Sequence, residues 1–504
     1  MSNSNLNKYD AIVIGSGIGG LTVAAILSKY NHKKVLILEQ HYVIGGFTHE
    51  FERKGFCWDV GLHYVGEMGE GQIGRQLFDY ISDGKLKWNK MPDPFEKFVY
   101  PDFSFEVYSD RQKYQSDLTE KFPEEKAAIK RYFKDLQKAP FKVITGKYGK
   151  TFRQTTKEYL DNNFENPQLK SLLVSQWGTY GLPPSQSSFA IHAMLANHYL
   201  KGAWYPVGGA SQIAKNILPA IEKTGGRAIS RREVTEIIIK NGAAIGVKAR
   251  TTNKVETEIE AYYAPVIISN VGAYNTYTKL IPESYPIPYR QEIKAFAKGT
   301  SNITLYLGFK ESPTKLGFFG ENHWIYQDYD HDRTFAKLTT LREFPTHCYL
   351  SFPSLKNPAA TSHTGEIISF IDYEFFSKWQ DRSWQRRGEE YNALKDRLSN
   401  SLIDLVASKY PGFKDLIAYS ELSTPLTVEY FDKSDRGAIY GIPAVPKRLD
   451  AKWIEAKTPI ENLYLTGTDA SIHGIMGAAM GGVTTAGILN GLFGFLRIIS
   501  ALKK

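Results

Sequence analysis

Asp10-Ala-Ile-Val-Ile-Gly15-Ser16-Gly17-Ile18-Gly19-Gly20-Leu-Thr-Val-Ala-Ala-Ile-Leu27, followed by Lys34-Val-Leu-Ile-Leu-Glu39, reads as a strand, a glycine turn, a helix and a second strand. Ala11 to Ile14 is a short β-branched run of the kind that parallel sheets bury on both faces, and Leu21 to Leu27 has the composition of a packed helix. Gly15 allows the tight turn, Gly17 lets the backbone approach a pyrophosphate, and Gly20 lets the helix lie close on the strand. The turn residues Ser16, Ile18 and Gly19 complete a loop whose free N–H groups, at the positive helix end, face phosphate. Glu39 ends the second strand, where a carboxylate accepts hydrogen bonds from ribose hydroxyls and repels a 2′-phosphate. This order of elements predicts an α/β dinucleotide-binding fold and redox chemistry.

After Glu39 the chain runs Gln40-His-Tyr-Val-Ile-Gly45-Gly46-Phe47-Thr48-His49-Glu50-Phe51, a second glycine pair in a loop. An NAD-dependent dehydrogenase would continue with another helix and strand, so a longer cofactor is indicated. With Gly61-Leu-His63-Tyr64-Val-Gly66 beyond it, the pattern resembles the FAD-containing amine oxidase and phytoene desaturase superfamily, and within it the retinol saturase family. Further matching stretches are Gly71-Gln-Ile-Gly-Arg75, Trp204-Tyr-Pro-Val-Gly-Gly209 and Asn462-Leu-Tyr-Leu-Thr-Gly467, which together span most of the chain. The resemblance implies FAD as cofactor, with contacts from Gln40, Gly45, Gly46, Phe47 and Thr48 and a backbone contact from Val234 to the adenine. It also implies a second signature, in which Gly467 and Asp469 reach the ribityl and phosphate region while Gly474, Ile475 and Met476 open the last helix toward the cofactor. Asp469 reads alternatively as a buried helix cap. Phe47 departs from the relatives, which tend to carry cysteine there, and the arginine of many desaturases is absent too.

The fold class expected is α/β: an FAD-binding Rossmann-type domain with a discontinuous α+β substrate domain. The first comprises residues 1–80, 201–274 and 411–490, and the second residues 81–200 and 275–410. Residues 81–200 lack strand alternation and read as helical. Asn241-Gly242 between alternating runs is a hairpin signal. Ile303-Thr-Leu-Tyr-Leu-Gly-Phe309, Cys348-Tyr-Leu-Ser-Phe352 and Ile367-Ile-Ser-Phe-Ile371 suit a sheet that floors a substrate cavity. The 31 tyrosines and 28 phenylalanines either line an apolar tunnel or fill two large cores.

A chain of 504 residues suits two interwoven domains. Its 62 basic and 53 acidic residues give a net charge of +9, spread along the sequence. With no RNA or DNA motif, nucleic acid is not expected as a partner, and an anionic membrane surface fits better. Cys57 and Cys348 form no CxxC pair, which excludes a disulfide scaffold and a thiolate metal cluster, and no metal site is expected. The start lacks the apolar region of a secretory signal, so a cytoplasmic location is expected. The apolar tail 488–504 is either a packed C-terminal helix or a peripheral membrane contact, and Arg497 and Asn490 argue against a full span.

The resemblance further implies hydride exchange at a C=C bond of a hydrophobic polyene, a retinoid or carotenoid. The reaction is reduction or, alternatively, isomerisation or desaturation; a non-catalytic lipid carrier on the same fold is the remaining reading. No second GxGxxG is present, which places the electron donor outside the chain. By location, His63, Tyr64 and Glu67 are the candidate catalytic acids, with His473 and Tyr440 next. Each also reads as a cofactor contact or a satisfied buried residue.

Overall fold

Ala11–Ile14 and Val35–Leu38 lie side by side and parallel, with every residue buried. The computed structural model describes residues 9–252, 258–296, 298–338 and 344–503, so the reading of residues 1–8 lies outside the described residues. The two strands belong to a five-stranded parallel sheet in the order Leu463–Leu465, Ile267–Ser269, Ala11–Ile14, Val35–Leu38, Arg227–Ile229. From the first strand the chain moves to Val35–Leu38 on one side and returns for Ile267–Ser269 on the other. That reversal opens a crevice at the carboxyl ends of the strands, where ligands of such sheets bind.

The glycines explain how tightly this layer packs. The helix Ile18–Asn31 is buried from Ile18 to Ser28 and packs along the last long helix, Gly474–Leu489. A Cβ on Gly20 would lie 2.3 Å from the Gly15 carbonyl oxygen, and one on Gly482 would lie 2.7 Å from Thr22 Cβ. Any side chain at either position would push the helix off its neighbour.

A second, seven-stranded sheet runs Ile417–Ser423, Ser301–Phe309, His363–Ile371, His347–Ser351, Asn322–Tyr326, Glu96–Val99, Ser104–Val107. It is antiparallel except where Asn322–Tyr326 pairs with Glu96–Val99. One expectation is corrected here. Residues 81–200 are not purely helical, because Trp88–Lys90, Glu96–Val99 and Ser104–Val107 are strands too short to show a clear alternation. Beyond residue 411, Ile417–Ser423 pairs with Ser301–Phe309, and Leu463–Leu465 joins the parallel sheet. Side chains of the large sheet alternate cleanly. Ile303, Leu305, Leu307, Ile325, Leu350 and Ile367 fill a core on one face, and the other face is turned to the cavity and to a helical layer that includes Lys126–Thr145 and Phe189–His198.

The hairpin Arg232–Lys240 to Ala243–Thr251 forms about Asn241 and Gly242, both at positive φ, as its turn residues predict. At the C-terminus a short helix, Gly494–Ala501, packs back on Gly474–Leu489 through Gly494 and Ile498, while Leu492, Phe493 and Leu496 stay exposed. Among the described residues no helix is long and apolar enough to cross a membrane.

Candidate active site

One cavity of about 950 Å³ runs from the crevice of the parallel sheet to the alternating face of the seven-stranded sheet. At its nucleotide end it is lined by Gly15, Gly17, Ile18, Gly19, Glu39, Gln40, Gly46, Phe47, Thr48 and Val234, joined by Gly467, Asp469, Gly474 and Ile475 from the C-terminal part. Sequence positions more than four hundred residues apart thus meet around one space. The two glycine loops touch: a Cβ on Gly46, which has φ +56°, would lie 2.8 Å from Gly17 Cα. Neither the helix at Ile18 nor the helix at Gly474 has a side-chain cap, and neither has an acid in its first turn, so their leading N–H groups suit a bound anion. These residues fit a dinucleotide.

Glu39 is 6% exposed and is held in place by its own neighbours. The Ser16 N–H and hydroxyl donate to Oε2 at 2.8 and 2.7 Å, and the His41 N–H donates to Oε1 at 2.8 Å. A carboxylate accepts about four hydrogen bonds, so capacity remains on the cavity side. The Gly45 N–H in turn donates to Ser16 Oγ at 2.9 Å. Ser16 and Gly45 thus brace Glu39 from behind, and Ser16, Gly20, Gly45 and Met476 are not part of the cavity lining. Asp469 lines the cavity, yet the Ala273 and Ile442 N–H groups donate to its two oxygens at 2.7 and 3.0 Å. The alternative reading of a buried cap describes its bonding, and it ties three loops together. Asp432, unremarked in the sequence, also lines this end, and its carboxyl is pushed up to about 7 by burial and then by the charge of Glu39.

At the other end the cavity meets His63, Tyr64, Tyr199, Trp324, Tyr349 and Phe370. Behind them lies a buried set of charges. His63 Nδ1 is 2.8 Å from Glu366 Oε2, off the line of a good hydrogen bond, and Glu366 is fully buried. Lys356 Nζ uses all three donors, on Asn322 Oδ1 at 2.5 Å, Ser351 Oγ at 2.6 Å and the His63 carbonyl at 3.0 Å. Burial pulls its ammonium down to about 8, against the attraction of Glu366, Glu96 and Asp59. Glu96 accepts from Trp324 Nε1 at 2.7 Å and Gln176 Nε2 at 3.1 Å, and burial pushes its carboxyl up to about 7. The Tyr64 ring stacks on Tyr199 at 4.5 Å, and burial followed by the nearby Glu96 raises its hydroxyl well above the usual phenol range.

The structure brings His63 and Tyr64 to the cavity and removes Glu67 from it. Glu67 Oε2 is 3.3 Å from His198 Nδ1, and His198 Nε2 accepts from the Gly66 N–H at 2.8 Å, so a neutral ring carries its proton toward Glu67. That pair braces the loop, and Glu67 is not part of the cavity lining. His473 is buried, is held down to about 3 by burial, and bonds the Ile442 carbonyl without lining the cavity. Tyr440 lines it, with its hydroxyl donating to the Gly178 carbonyl at 2.8 Å. The residues missed were Glu96, Glu366 and Lys356. For the two acids the signal was a carboxyl at an inward position of a strand, in Glu96-Lys-Phe-Val99 and in Gly365-Glu366-Ile-Ile, and Lys356, at the end of the short helix Pro353–Lys356, carried none.

The family described as flavin containing amine oxidoreductase matches residues 18–490. The all-trans-retinol 13,14-reductase of Danio rerio is 33% identical, over 95% of this chain and 86% of its own. A protein of the same organism named inactive all-trans-retinol 13,14-reductase is 30% identical over 96% and 86%, and prolycopene isomerase 1 of an Oncidium hybrid is 28% identical over 95% and 83%. Among solved structures, wild-type putrescine oxidase bound to putrescine shares the fold with a TM-score of 0.64 at 13% identity, covering 96% of this chain and 99% of that one. The parallel sheet, the paired glycine loops and these matches agree, and the chain is a member of the flavin-containing amine oxidoreductase family, within its group of retinol-reductase relatives.

Proposed function

We propose that the protein binds FAD and reduces one C=C bond of a polyene lipid of retinoid or carotenoid type. The observation that carries this reading is the single cavity that joins a dinucleotide crevice to an aromatic sheet face backed by buried acids. Glu39 holds the adenosine ribose, the N–H groups after Gly15 and at Gly474 hold phosphate and flavin oxygens, and Val234 meets the adenine. FAD, when bound, supplies hydride chemistry. Adding hydrogen across a C=C bond also needs a proton, and here the chain's own residues act. The Tyr64 hydroxyl stays protonated because of its burial and sits where the cavity is walled by Tyr199, Tyr349 and Trp324, which exclude water. Glu96, close enough for its charge to raise that hydroxyl, retains a proton up to about pH 7 and is the nearby group from which Tyr64 can be resupplied. Glu366 and Lys356 fix His63, which completes the wall.

The chain offers one glycine-rich nucleotide loop of this type, so the electrons come from an external donor such as a ferredoxin, a quinone or a free reduced nucleotide. The exposed Leu492, Phe493 and Leu496 support a peripheral membrane contact through which a lipid enters. Anaerobic incubation of the reduced flavoprotein with all-trans-retinol and with a C40 carotene tests the reading. A product two hydrogens heavier, with reoxidation of the flavin, is expected. Unchanged mass with altered double-bond geometry establishes isomerisation instead, the reading that the Oncidium relative favours. A parallel incubation with the oxidised flavoprotein tests desaturation, which loss of two hydrogens with reduction of the flavin would establish. Unaltered polyene in both incubations, with the flavin unchanged in each, overturns all three.

A further inference from the structure

Reducing a C=C bond places hydride on one carbon and a proton on the other, so each turnover takes one proton from the protein and solvent must return it. The groups behind the aromatic end of the cavity are poorly placed to collect it. Glu96, Glu366 and Lys356 are each 1% exposed or less and none of them lines the cavity. A polyene lying against His63 and Tyr64 covers the wall in front of them. A refilling route has to reach this cluster from another side.

The hairpin of Glu50–Arg53 and Phe56–Asp59 holds two carboxyls on such a side. Glu50 and Asp59 are cross-strand partners, so their side chains leave the same face of the hairpin with Cβ atoms about 5 Å apart. Both then land on one turn. The Ser211 N–H donates to Glu50 Oε2 at 3.2 Å, and the Ala210 N–H donates to Asp59 Oδ1 at 2.9 Å. Successive N–H groups thus hold the two carboxyls side by side. Gly209, at φ +90°, makes the room, because a Cβ there would overlap Glu50 Oε1.

The two carboxyls face different surroundings. Glu50 is partly exposed, and its Oε1 lies 3.6 Å from Sγ of the exposed Cys57. Asp59 is 1% exposed, and its Oδ2 accepts from the Tyr205 hydroxyl. Burial, followed by the charge of Glu366, pushes Asp59 well above the usual carboxylate range, which favours the form that carries a proton. Asp59 also adjoins the cluster. Its charge acts with those of Glu366 and Glu96 on the Lys356 ammonium, and with that of Glu366 on the Tyr205 and Tyr306 hydroxyls. Glu366 Oε2 in turn lies 2.8 Å from His63 Nδ1. Carboxyls therefore succeed one another from a surface cysteine to the cavity histidine, and neither Glu50 nor Asp59 lines the cavity.

We propose that Glu50 and Asp59 form a proton inlet that refills the buried cluster from solvent while the polyene fills the cavity. Asp59 gives its proton to Glu366, Glu50 gives one to Asp59, and a solvent acid gives one to Glu50. One O–H bond forms for each that breaks, no electron moves along the path, and the net uptake equals the proton that carbon has taken. Neither residue touches the substrate; both act through the cluster. The inlet rests on the reductive reading, since isomerisation consumes no net proton.

The test mixes flavin-loaded protein, kept reduced by dithionite, with all-trans-retinol. Protein in excess reads the first turnover, and retinol in excess reads the steady state. In Glu50→Gln the first turnover is expected to stay within about 2-fold of the wild type, because the cluster starts filled, while the steady state falls about 10-fold. Imidazole added at constant pH, a small acid that can replace the missing carboxyl, is expected to restore most of the loss. Asp59→Asn is expected to show the same split; if its flavin content and Tm show that it does not fold, Glu50→Gln decides. First-turnover and steady-state rates that fall together, a steady state that does not fall, or a loss that imidazole leaves untouched overturns the inlet. If the wild type does not convert retinol, the reductive reading fails by itself, and the inlet is read from the infrared carboxylic-acid band of the oxidised flavoprotein after transfer to D2O. Slower exchange in Glu50→Gln than in the wild type supports the inlet, and equal exchange overturns it.

Discussion

Glu96 and Tyr64 show how burial sets chemistry at single residues. A carboxyl of ordinary value near 4.5 is pushed to about 7 because no water reaches it, although Trp324 and Gln176 donate to it. The folded state then holds a proton that the unfolded chain has released, so stability falls as pH rises from about 4.5 to about 7 and is flat beyond. Glu96→Gln removes that dependence. Urea unfolding at pH 5 and pH 8 is expected to show the wild type losing up to about 3 kcal/mol relative to the variant across the interval. If Tyr64 gives its proton to carbon, Tyr64→Phe lowers kcat by about 10² to 10⁴ with flavin content and KM little changed. A drop confined to KM would assign the ring to substrate packing. If Glu96 resupplies Tyr64, the turnover of the wild type should also fall above about pH 7, as Glu96 loses its proton, and Glu96→Gln should abolish that limb.

At the scale of elements, the stretch from Asp10 to Glu39 was legible because its glycines, its periodicity and its terminal acid each have a local cause. The hairpin about Asn241-Gly242 and the strands at 303–309 and 367–371 were legible for the same reason. Glu96–Val99 was not, since four residues with only two large apolar side chains carry too little alternation, and its pairing with Asn322–Tyr326 is a contact across more than two hundred positions. The partners of Asp469 were likewise hidden, because Ala273 and Ile442 are distant from it in the sequence. The glycines of the helix interface permit a sharper statement. A Cβ on Gly19 would lie 2.5 Å from Gly467 Cα and 2.8 Å from Gly467 N, backbone atoms that cannot swing aside. Gly19→Ala is therefore expected to cost about 3 kcal/mol and to release flavin, because it pries the first helix from the second signature. Gly71→Ala, where a Cβ meets nothing within 4 Å but φ is +71°, should cost only about 1 kcal/mol and keep the flavin. Equal flavin retention in the two variants would refute the idea that the two signatures must touch.

For the whole molecule, the arrangement of domains sets where a lipid can enter. The cavity passes between the two sheets, and the C-terminal helix closes the chain against the nucleotide-binding side with one apolar edge inward and another outward. Gly494 packs so closely that a Cβ there would lie 2.1 Å from the Gly487 carbonyl oxygen, and Ile498 is buried. The same segment leaves Leu492 80% exposed, Phe493 66% and Leu496 62%. Arg497 beside them donates to the Asn490 and Leu492 carbonyls, which fixes the turn in which they project. Three large apolar side chains held out by a braced turn are suited to dip into one leaflet, and the net charge of +9 favours an anionic one. Half-burial of the three in lipid contributes about 3 kcal/mol, a factor of roughly 100 in partition. Replacing Leu492, Phe493 and Leu496 together by serine should therefore cut cosedimentation with phosphatidylserine-containing vesicles about 100-fold, while flavin content and Tm hold because none of the three is part of a core. Detergent-solubilised polyene should still be turned over at the wild-type rate, whereas polyene delivered in vesicles should be consumed far more slowly. Equal rates from the two deliveries would show that the substrate reaches the cavity without this face.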